Sequence, residues 1–436
     1  MELWGKVVEY CVNDVVSLEA VTEARKGDVV ARQILADLSG LSVNDTTAKH
    51  TAKIIFGDDK NPQRSFVYTD LSTEFPGYVY EKGVSTYRGI TTGEGGLVYA
   101  EPGMYERVAL LDVASMHPTS IVQLNLFGEY TKNFAELIEA RLAIKRGDLD
   151  GARVLLGGKL GKHLSDPTVA ADLAYALKIV INIVYGLTSA KFDNPFRDAR
   201  NKDNIVAKRG ALFMVDLKHE LEAQGFTVAH IKTDSVKIPD ATPEIIEFVK
   251  QFGAKYGYTF EHEATYDAFC LVNDAVYVAR KEDQFTAVGA QFQQPYVFKT
   301  LFTDEPIEFD DICETRQVQA GVMYLDFDAT TPMAFPKNGL QHVGRTGRFV
   351  PVKEGHGGGL LYRVKDGKHY AVTGTKGYFW LEAEVAKDGW ATPFFDPDVI
   401  DMSYFENLAE EARKTIDYFG EFTRLRGKEW ISPRNQ

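Results

Sequence analysis

Apolar positions along this chain change period several times, and each change marks an element. Between residues 15 and 36, Leu18, Val21, Val29, Ile34 and Leu35 recur among charged residues at helical spacing, which predicts a helix. Residues 60–105 hold short alternating stretches such as FVYTDL and GGLVYAEPG, broken by glycine and proline, and predict strands and turns. The run VALLDVAS from Val108 has the pattern of a buried strand ending in a polar turn. A helical stretch, FAELIEARLAIKRGD, starts at Phe134; its period is lost through GARVLLGGKLGKH and returns from Val169 to Ala190, behind Asp166 and Pro167. These segments predict an antiparallel helix pair joined by a loop near 150–165. A further helix is predicted at 205–224, then a β-hairpin whose arms, Thr227–Ile231 and Val236–Ile238, flank the polar turn Lys232-Thr233-Asp234-Ser235. Beyond 285 the chain becomes strand- and glycine-rich, and it closes on a helical pattern, FENLAEEARKTIDYFGEFTRL.

Composition narrows the function classes. A chain of 436 residues makes roughly two to four domains. No apolar run of about 18 residues or more is present, so no membrane span is expected. The start, MELWGKVVEYCVND, lacks a basic segment followed by an apolar one, so a secretory signal is not expected either. Cys11, Cys270 and Cys313 are far apart and form no CxxC pair; they read as buried free thiols of a reducing cytoplasm. The formal net charge of −13 excludes a protein that coats nucleic acid by bulk charge, but leaves room for a locally basic lining. Two stretches are candidates: Lys191 to Lys218, with Lys208 and Arg209, and Lys337 to Lys368, with Arg345, Arg348, Lys353 and Arg363 interleaved with aromatics.

The candidate chemistry is acidic and phosphate-directed. Asp112 ends an apolar strand, where a carboxylate is costly unless it faces a cleft or a cation. Asp234 sits in the hairpin turn. Singly, each reads as a turn or cap residue. Together, carboxylates on neighbouring strand ends can hold two divalent ions about 3.5–4 Å apart, which clamp an attacking and a leaving oxygen. Lys178, Asn182 and Tyr185 follow i, i+4, i+7 spacing and share one helix face, cationic at one end and aromatic at the other. Such a face suits a triphosphate and a base or sugar. Arg141 and Lys145 form an i, i+4 cationic pair whose repulsion a shared anion would relieve.

The order D-x-x-S-x-x-P-x-x-I from Asp112, K-x-x-x-N-x-x-Y-G from Lys178 and T-D-S from Thr233 resembles the three polymerase motifs of family B DNA polymerases. The segment GGLVYAEPG from Gly95 is similar to that family's lead-in to its first motif, and Y-C-V-N-D, Tyr10 to Asp14, to its last exonuclease motif. The resemblance covers residues 1–300; H-P-T-S-I and I-K-T-D-S look more like viral members. It implies an α+β right-hand polymerase: an antiparallel-sheet palm (41–130 and 191–290), helical-pair fingers (131–190), a C-terminal thumb (291–436) assigned by position, and residues 1–40 as a remnant of an exonuclease domain. The implied activity is extension of a primer 3′-hydroxyl on a DNA template with deoxynucleoside triphosphates, using two Mg²⁺ ions or Mn²⁺, in the cytoplasm (a host's, for a viral member). Asp112, Asp234 and the Val113 carbonyl would hold the metals. Lys178, Arg141 and Lys145 would grip the triphosphate, Asn182 would support them, and the Ser115 and Met116 amides would meet phosphate. His117 would lie under the sugar and Tyr185 along the nascent pair. Thr233, Tyr277, Arg345, Arg348 and Lys353 would contact DNA, Tyr277 matching the tyrosine of the family's K-K-x-Y element.

The departures are specific. His117 stands where the family has the tyrosine that excludes a 2′-hydroxyl, Ile183 replaces a serine, Lys232 replaces the first aspartate of D-T-D-S, and Asp274 stands where a cation is common. The first two exonuclease motifs should precede Tyr10 and do not. The expectation is therefore no 3′→5′ exonuclease activity, and a separate polypeptide that supplies the missing part and docks on residues 1–40 through Val7, Val8, Val15 and Leu18; the competing reading is that the sequence is incomplete and the remnant is disordered. Two alternatives stand beside this reading. One is a catalytically degenerate, DNA-binding scaffold subunit, against which Asp112, Asp234 and Lys178 argue. The other is a different palm-fold nucleotidyltransferase, such as a cyclase or primase, which lacks the Lys178–Gly186 helix motif.

Overall fold

The computed structural model of the chain describes residues 2–326, 340–356, 358–372, 377–380 and 397–435; Lys337 of the second basic stretch lies outside them. The chain forms two compact units, residues 1–99 with 109–264, and residues 100–108 with 265–436. Helices and antiparallel ladders occur together, as an α+β chain requires.

The first unit opens with two helices where one was expected: α1 (Glu2–Ala24) and α2 (Lys26–Ser39). Arg25 breaks them apart, at φ −109° and ψ 25°. Helix α1 exposes Val7, Val8, Val15 and Leu18, along with Tyr10. Cys11 is exposed as well, so only Cys270 and Cys313 are the buried thiols that were expected. Helix α3 (Thr47–Phe56) starts on the Thr46 hydroxyl, which accepts from the Lys49 amide at 3.2 Å. Strands β1 (Val79–Glu81), β2 (Val84–Tyr87) and β3 (Ile90–Thr92) form a small antiparallel sheet. Then come β4 (Val98–Ala100), the long β5 (Gly103–Val113) and α4 (Met116–Gln123).

Helices α5 (Thr131–Lys145) and α7 (Pro167–Thr188) pack on each other as the sequence predicts. The loop expected between them contains a short helix, α6 (Leu149–Val154), begun by the Asp148 carboxylate accepting from the Gly151 amide at 2.8 Å. Asp166 starts α7 in the same way, accepting from Thr168 N at 2.7 Å. By length and composition α7 could cross a membrane. Its apolar stripe, Leu173, Leu177, Val180, Ile181 and Val184, is instead buried in this unit's core.

Helix α8 (Ile205–Ala223) is buried along most of its length. It leads into β6 (His230–Lys232) and β7 (Ser235–Ile238), then α9 (Pro243–Lys255) and the start of β8 (Phe260–Asn273). The sheet order here is β8-β5-β7-β6-β4. The hairpin is tighter than predicted: Lys232 pairs with Ser235, so only Thr233 and Asp234 form the turn. Residues 227–229 stay outside the strand.

In the second unit, β8 continues against β9 (Val276–Lys281), which pairs with β10 (Gln284–Val288). After α10 (Ala290–Gln293) and α11 (Pro295–Phe302) come β11 (Glu314–Gln317), β12 (Val322–Asp326), β13 (Leu340–Gly344), β14 (Thr346–Pro351), β15 (Leu360–Lys365), β16 (Lys368–Ala371) and β17 (Tyr378–Trp380). The terminal helix predicted as one is two, α12 (Met402–Asp417) and α13 (Phe422–Arg426). The Asp417 carboxylate accepts from the Phe422 amide at 2.9 Å and turns the chain between them.

One glycine of the first unit is irreplaceable on steric grounds. Gly128 sits at φ +57°, and a Cβ there would lie 1.9 Å from the Ser65 carbonyl oxygen. Gly128→Ala is expected to cost at least about 2 kcal/mol of stability. Gly186, on α7 with nothing within 4 Å of its would-be Cβ, is the comparator. Gly186→Ala is expected to gain roughly 0.5–1 kcal/mol. Urea unfolding of both variants checks the pair, and equal effects would contradict the packing described.

Candidate active site

The site grows from two backbone contacts between strands of the first unit. Asp112, next to last in β5, pairs with Ser235 of β7, and the Val113 amide donates to the Asp234 carbonyl at 2.8 Å. The two aspartates that were 122 positions apart in sequence thus become backbone neighbours. A third segment pins the turn. The Thr233 amide donates to the Leu97 carbonyl at 2.8 Å, and Thr233 has a left-handed φ of 56°. Gly96, at φ +146°, lies so close that a Cβ would meet the Thr233 methyl at 3.1 Å and its Cα at 3.3 Å. Gly96 is thereby explained: it lets the lead-in segment press against the turn that carries Asp234.

Asp112 is electrostatically strained. Its carboxyl is pushed up to about 7, first by burial and then by Asp234, Glu263 and Glu261, with Lys237 acting in the opposite direction. The Ala114 amide donates to the Thr259 carbonyl at 2.9 Å, which fastens the lead-in to β8 beside β5. Glu261 and Glu263, two residues apart on that strand, share a face by strand alternation. Neither was singled out in the sequence; the signal was an E-x-E at the start of an alternating segment. Lys237 was missed too, though S-V-K-I places it on the face of Ser235.

Among the described residues, no three His, Cys, Asp or Glu side chains form a ready-made metal cage. The donors nonetheless suit one kind of ion. Magnesium takes one or two carboxylates and completes its shell with water and phosphate oxygens. Burial and the neighbouring carboxylates both disfavour the charged form of Asp112, and a bound cation would offset both.

Beside the carboxylates, Ser115 turns the chain into α4 with φ 56° and ψ 50°. Among the described residues, nothing accepts from the Ser115 or Met116 amides, which leaves an electropositive helix start next to Asp112. His117 stacks on Tyr185 of α7, ring centres 3.9 Å apart and planes 19° from parallel. Burial holds the imidazole below its usual pKa, with Asp234 opposing, and its buried Nδ1 has no partner. Asn204 donates to the Glu94 carbonyl at 3.1 Å and lies 3.4 Å from the Tyr185 hydroxyl. The stack therefore joins the first motif to the second. A cavity of about 630 Å³ lies against Tyr185, bordered also by Tyr80, Gly95, Lys191, Lys202 and Asn204.

Lys178 and Asn182 stand on the exposed side of α7, Arg141 is partly exposed on α5, and Lys145 is exposed at its end. Among the described residues, none of the three cations has an ion-pair partner. The rest of the first basic stretch is used internally. Lys208 is buried against the Thr92 and Gly93 carbonyls, and Arg209 grips Glu74 at 2.7 and 3.0 Å beneath Tyr258. Lys218 binds Glu222 at 2.6 Å, Arg197 binds Asp193 and Arg200 binds Asp198. A basic lining along Lys191–Lys218 is thus corrected to the rim lysines Lys191 and Lys202.

The remaining candidates lie in the second unit. Tyr277 of β9 is partly buried, its ring 5.1 Å from that of Phe269, and burial raises its phenol. Arg345 is exposed. Arg348 binds Asp310, and the Lys353 ammonium donates to the Asp398 carbonyl at 2.5 Å.

No protein-family model matches the sequence, and no curated protein matches it. Among solved structures, the chain is similar to the family B DNA polymerase from the hyperthermophilic archaeon Pyrobaculum calidifontis, with a TM-score of 0.47 and 13% identity. The match covers 96% of this chain and 56% of that one, so the chain spans about half of that polymerase's length. At this distance the functional reading rests on the site's own residues.

The Asp112 environment sets a pH dependence. A carboxyl raised from 3.8 to about 7 on folding holds a proton in the folded chain that the unfolded chain has lost. Its contribution is fully present below about pH 4 and is lost as pH rises through about 7. With metal chelated, Asp112→Asn is expected to gain stability relative to the unsubstituted chain as pH climbs through that window. Thermal unfolding at several pH values checks this, and a constant difference would contradict the strained carboxylate.

Proposed function

We propose that the chain is a template-directed DNA polymerase of the family B type, which adds deoxynucleotides to a primer 3′-hydroxyl. One observation carries the reading. A strained carboxylate pair, an open helix start and an aromatic platform meet at one place, each supplied by a different motif of the sequence.

Each group has a task in that reaction. Asp112, Asp234 and the Val113 carbonyl hold Mg²⁺, or Mn²⁺, whose charge when bound favours attack of the 3′-hydroxyl on the α-phosphate and departure of pyrophosphate. Arg141, Lys145 and Lys178 bind the triphosphate, and the Ser115 and Met116 amides meet its oxygens. Asn182 steadies that contact. His117, neutral near pH 7 because it is desolvated, supports the sugar, and Tyr185 borders the new base pair. Catalysis is then mostly positioning and charge stabilisation.

In this reading the sheet of the first unit is the palm, α5 and α7 are the fingers, and residues from 291 onward are the thumb. Thr233 and Tyr277 face the primer, with Arg345, Arg348 and Lys353 toward the duplex; Arg348 and Lys353 exchange Asp310 and the Asp398 carbonyl for phosphate. The partners are primer–template DNA and deoxynucleoside triphosphate. The exposed apolar residues of α1 offer a docking face for a companion polypeptide with the exonuclease portion. The place of action is the cytoplasm, a host's for a viral polymerase.

Two substitutions test the assignment. Asp234→Asn is expected to cut single-turnover primer extension by at least about a thousandfold, roughly 4 kcal/mol of barrier, with duplex binding nearly unchanged. A variant that keeps a tenth of the rate would remove Asp234 from the chemistry. Lys178→Ala is expected to raise the nucleotide concentration needed for half-maximal rate while leaving DNA affinity in place. The reverse pattern, DNA affinity lost and nucleotide use kept, would put α7 against the template instead.

A further inference from the structure

The buried cation beside the carboxylates has no place in the reaction just described. Lys237 is 3% exposed and His230 is 0% exposed. Strand alternation puts Lys237 on the same face of β7 as Ser235. Ser235 is paired with Asp112 and Lys237 with Leu110, so the lysine lies one pleat repeat from Asp112 and three residues past Asp234. On its other side it faces His230 of β6, whose Nδ1 accepts from the ammonium at 3.2 Å. Burying an ammonium costs several kcal/mol unless opposite charge compensates. An imidazole is a neutral acceptor; the opposite charge here is the cluster of Asp112, Asp234 and Glu263. Asp112, Asp234 and Glu263 each act electrostatically on Lys237.

We propose that Lys237 is a built-in counter-cation of the carboxylate pair, a positioning residue that keeps Asp112 and Asp234 together in the metal-free chain and limits how tightly they then hold a divalent ion. This rests on the metal-binding part of the polymerase reading. Its logic is that of a placeholder. Without it, two partly buried carboxylates, one on β5 and one in the adjoining turn, repel each other with no built-in cation between them. With it, the pair would be pre-set in the metal-free chain. Lys232, at the rim of the same face, replaces an acidic residue of the family pattern and shifts the local balance the same way.

The test uses two readouts on the whole chain. The first is Mn²⁺ affinity, measured by electron paramagnetic resonance on the unsubstituted chain and Lys237→Met. A unit charge a few ångströms away, at an effective dielectric of about 20, moves a binding constant by on the order of tenfold or more. Lys237→Met is therefore expected to bind Mn²⁺ about tenfold tighter; unchanged or weaker binding overturns the proposal. The second is urea unfolding in chelator of Lys237→Met, Asp234→Asn and the double variant. The double variant is expected to be more stable than Lys237→Met alone, because one repelling carboxylate has gone with the cation. A double variant no more stable than the single one overturns the proposal. If the unsubstituted chain holds no Mn²⁺ at this pair, the polymerase reading falls, and the unfolding comparison by itself decides the counter-cation.

Discussion

Two carboxylates held on paired strands are the constraint around which the first unit is arranged. The Asp112–Ser235 pairing and the Val113 amide on the Asp234 carbonyl bring their backbones together. Burial first, and then the charge of Asp234, push the Asp112 carboxyl up to about 7. The surroundings answer with positive potential of three kinds: the ammonium of Lys237 in the sheet, and, without partners among the described residues, the amides at the start of α4 and the side-chain cations Arg141, Lys145 and Lys178 on α5 and α7. Each acts on a different charge, the first on the carboxylates and the other two on whatever anion is brought to them.

The use of cations elsewhere makes that contrast sharper. In a chain of net charge −13, many basic side chains are taken up by acidic neighbours or by backbone carbonyls. Arg209 is buried under Tyr258 and fixed on Glu74 and the Tyr256 carbonyl, tying α8 to the segments around it. Lys208 closes the end of the small sheet by binding backbone carbonyls of Thr92 and Gly93. Such side chains stabilise the fold and are unavailable to a ligand. Arg141, Lys145 and Lys178 differ because they remain on the helix surface without acidic partners among the described residues. Position relative to burial, and not basic content, separates the candidate binding cations from the structural ones.

Much of this was legible in the sequence because it is local. The period of α5 and α7, the Asp166–Pro167 start, and the apolar run of β5 all follow from side-chain spacing. The pairing of Asp112 with Asp234 was readable only through the motif resemblance, since nothing in the spacing says which strands will be neighbours. The turn was read too wide because polar Lys232 and Ser235 look like turn residues, while in the sheet they close the ladder as its last pair. The break at Arg25 was invisible because helical periodicity continues through it. Glu261 and Glu263 are exposed, and what hid them is that β8 lies beside β5. Lys237 was overlooked because a charged residue in an alternating strand reads as solvent-facing until its neighbours in the sheet are known. The inward use of Lys208 and Arg209 was hidden in the same way.

The central claim is that this site joins a nucleotide chosen by a template to a primer. The most direct measurement offers the purified chain a primer on templates that differ only in the first unpaired base, with one deoxynucleoside triphosphate at a time, with and without Mg²⁺. The account predicts that each template is extended by its complementary nucleotide alone, and only when the metal is present. A chain that binds the duplex but extends no template under any of these conditions would contradict it, and would leave a DNA-binding scaffold in its place.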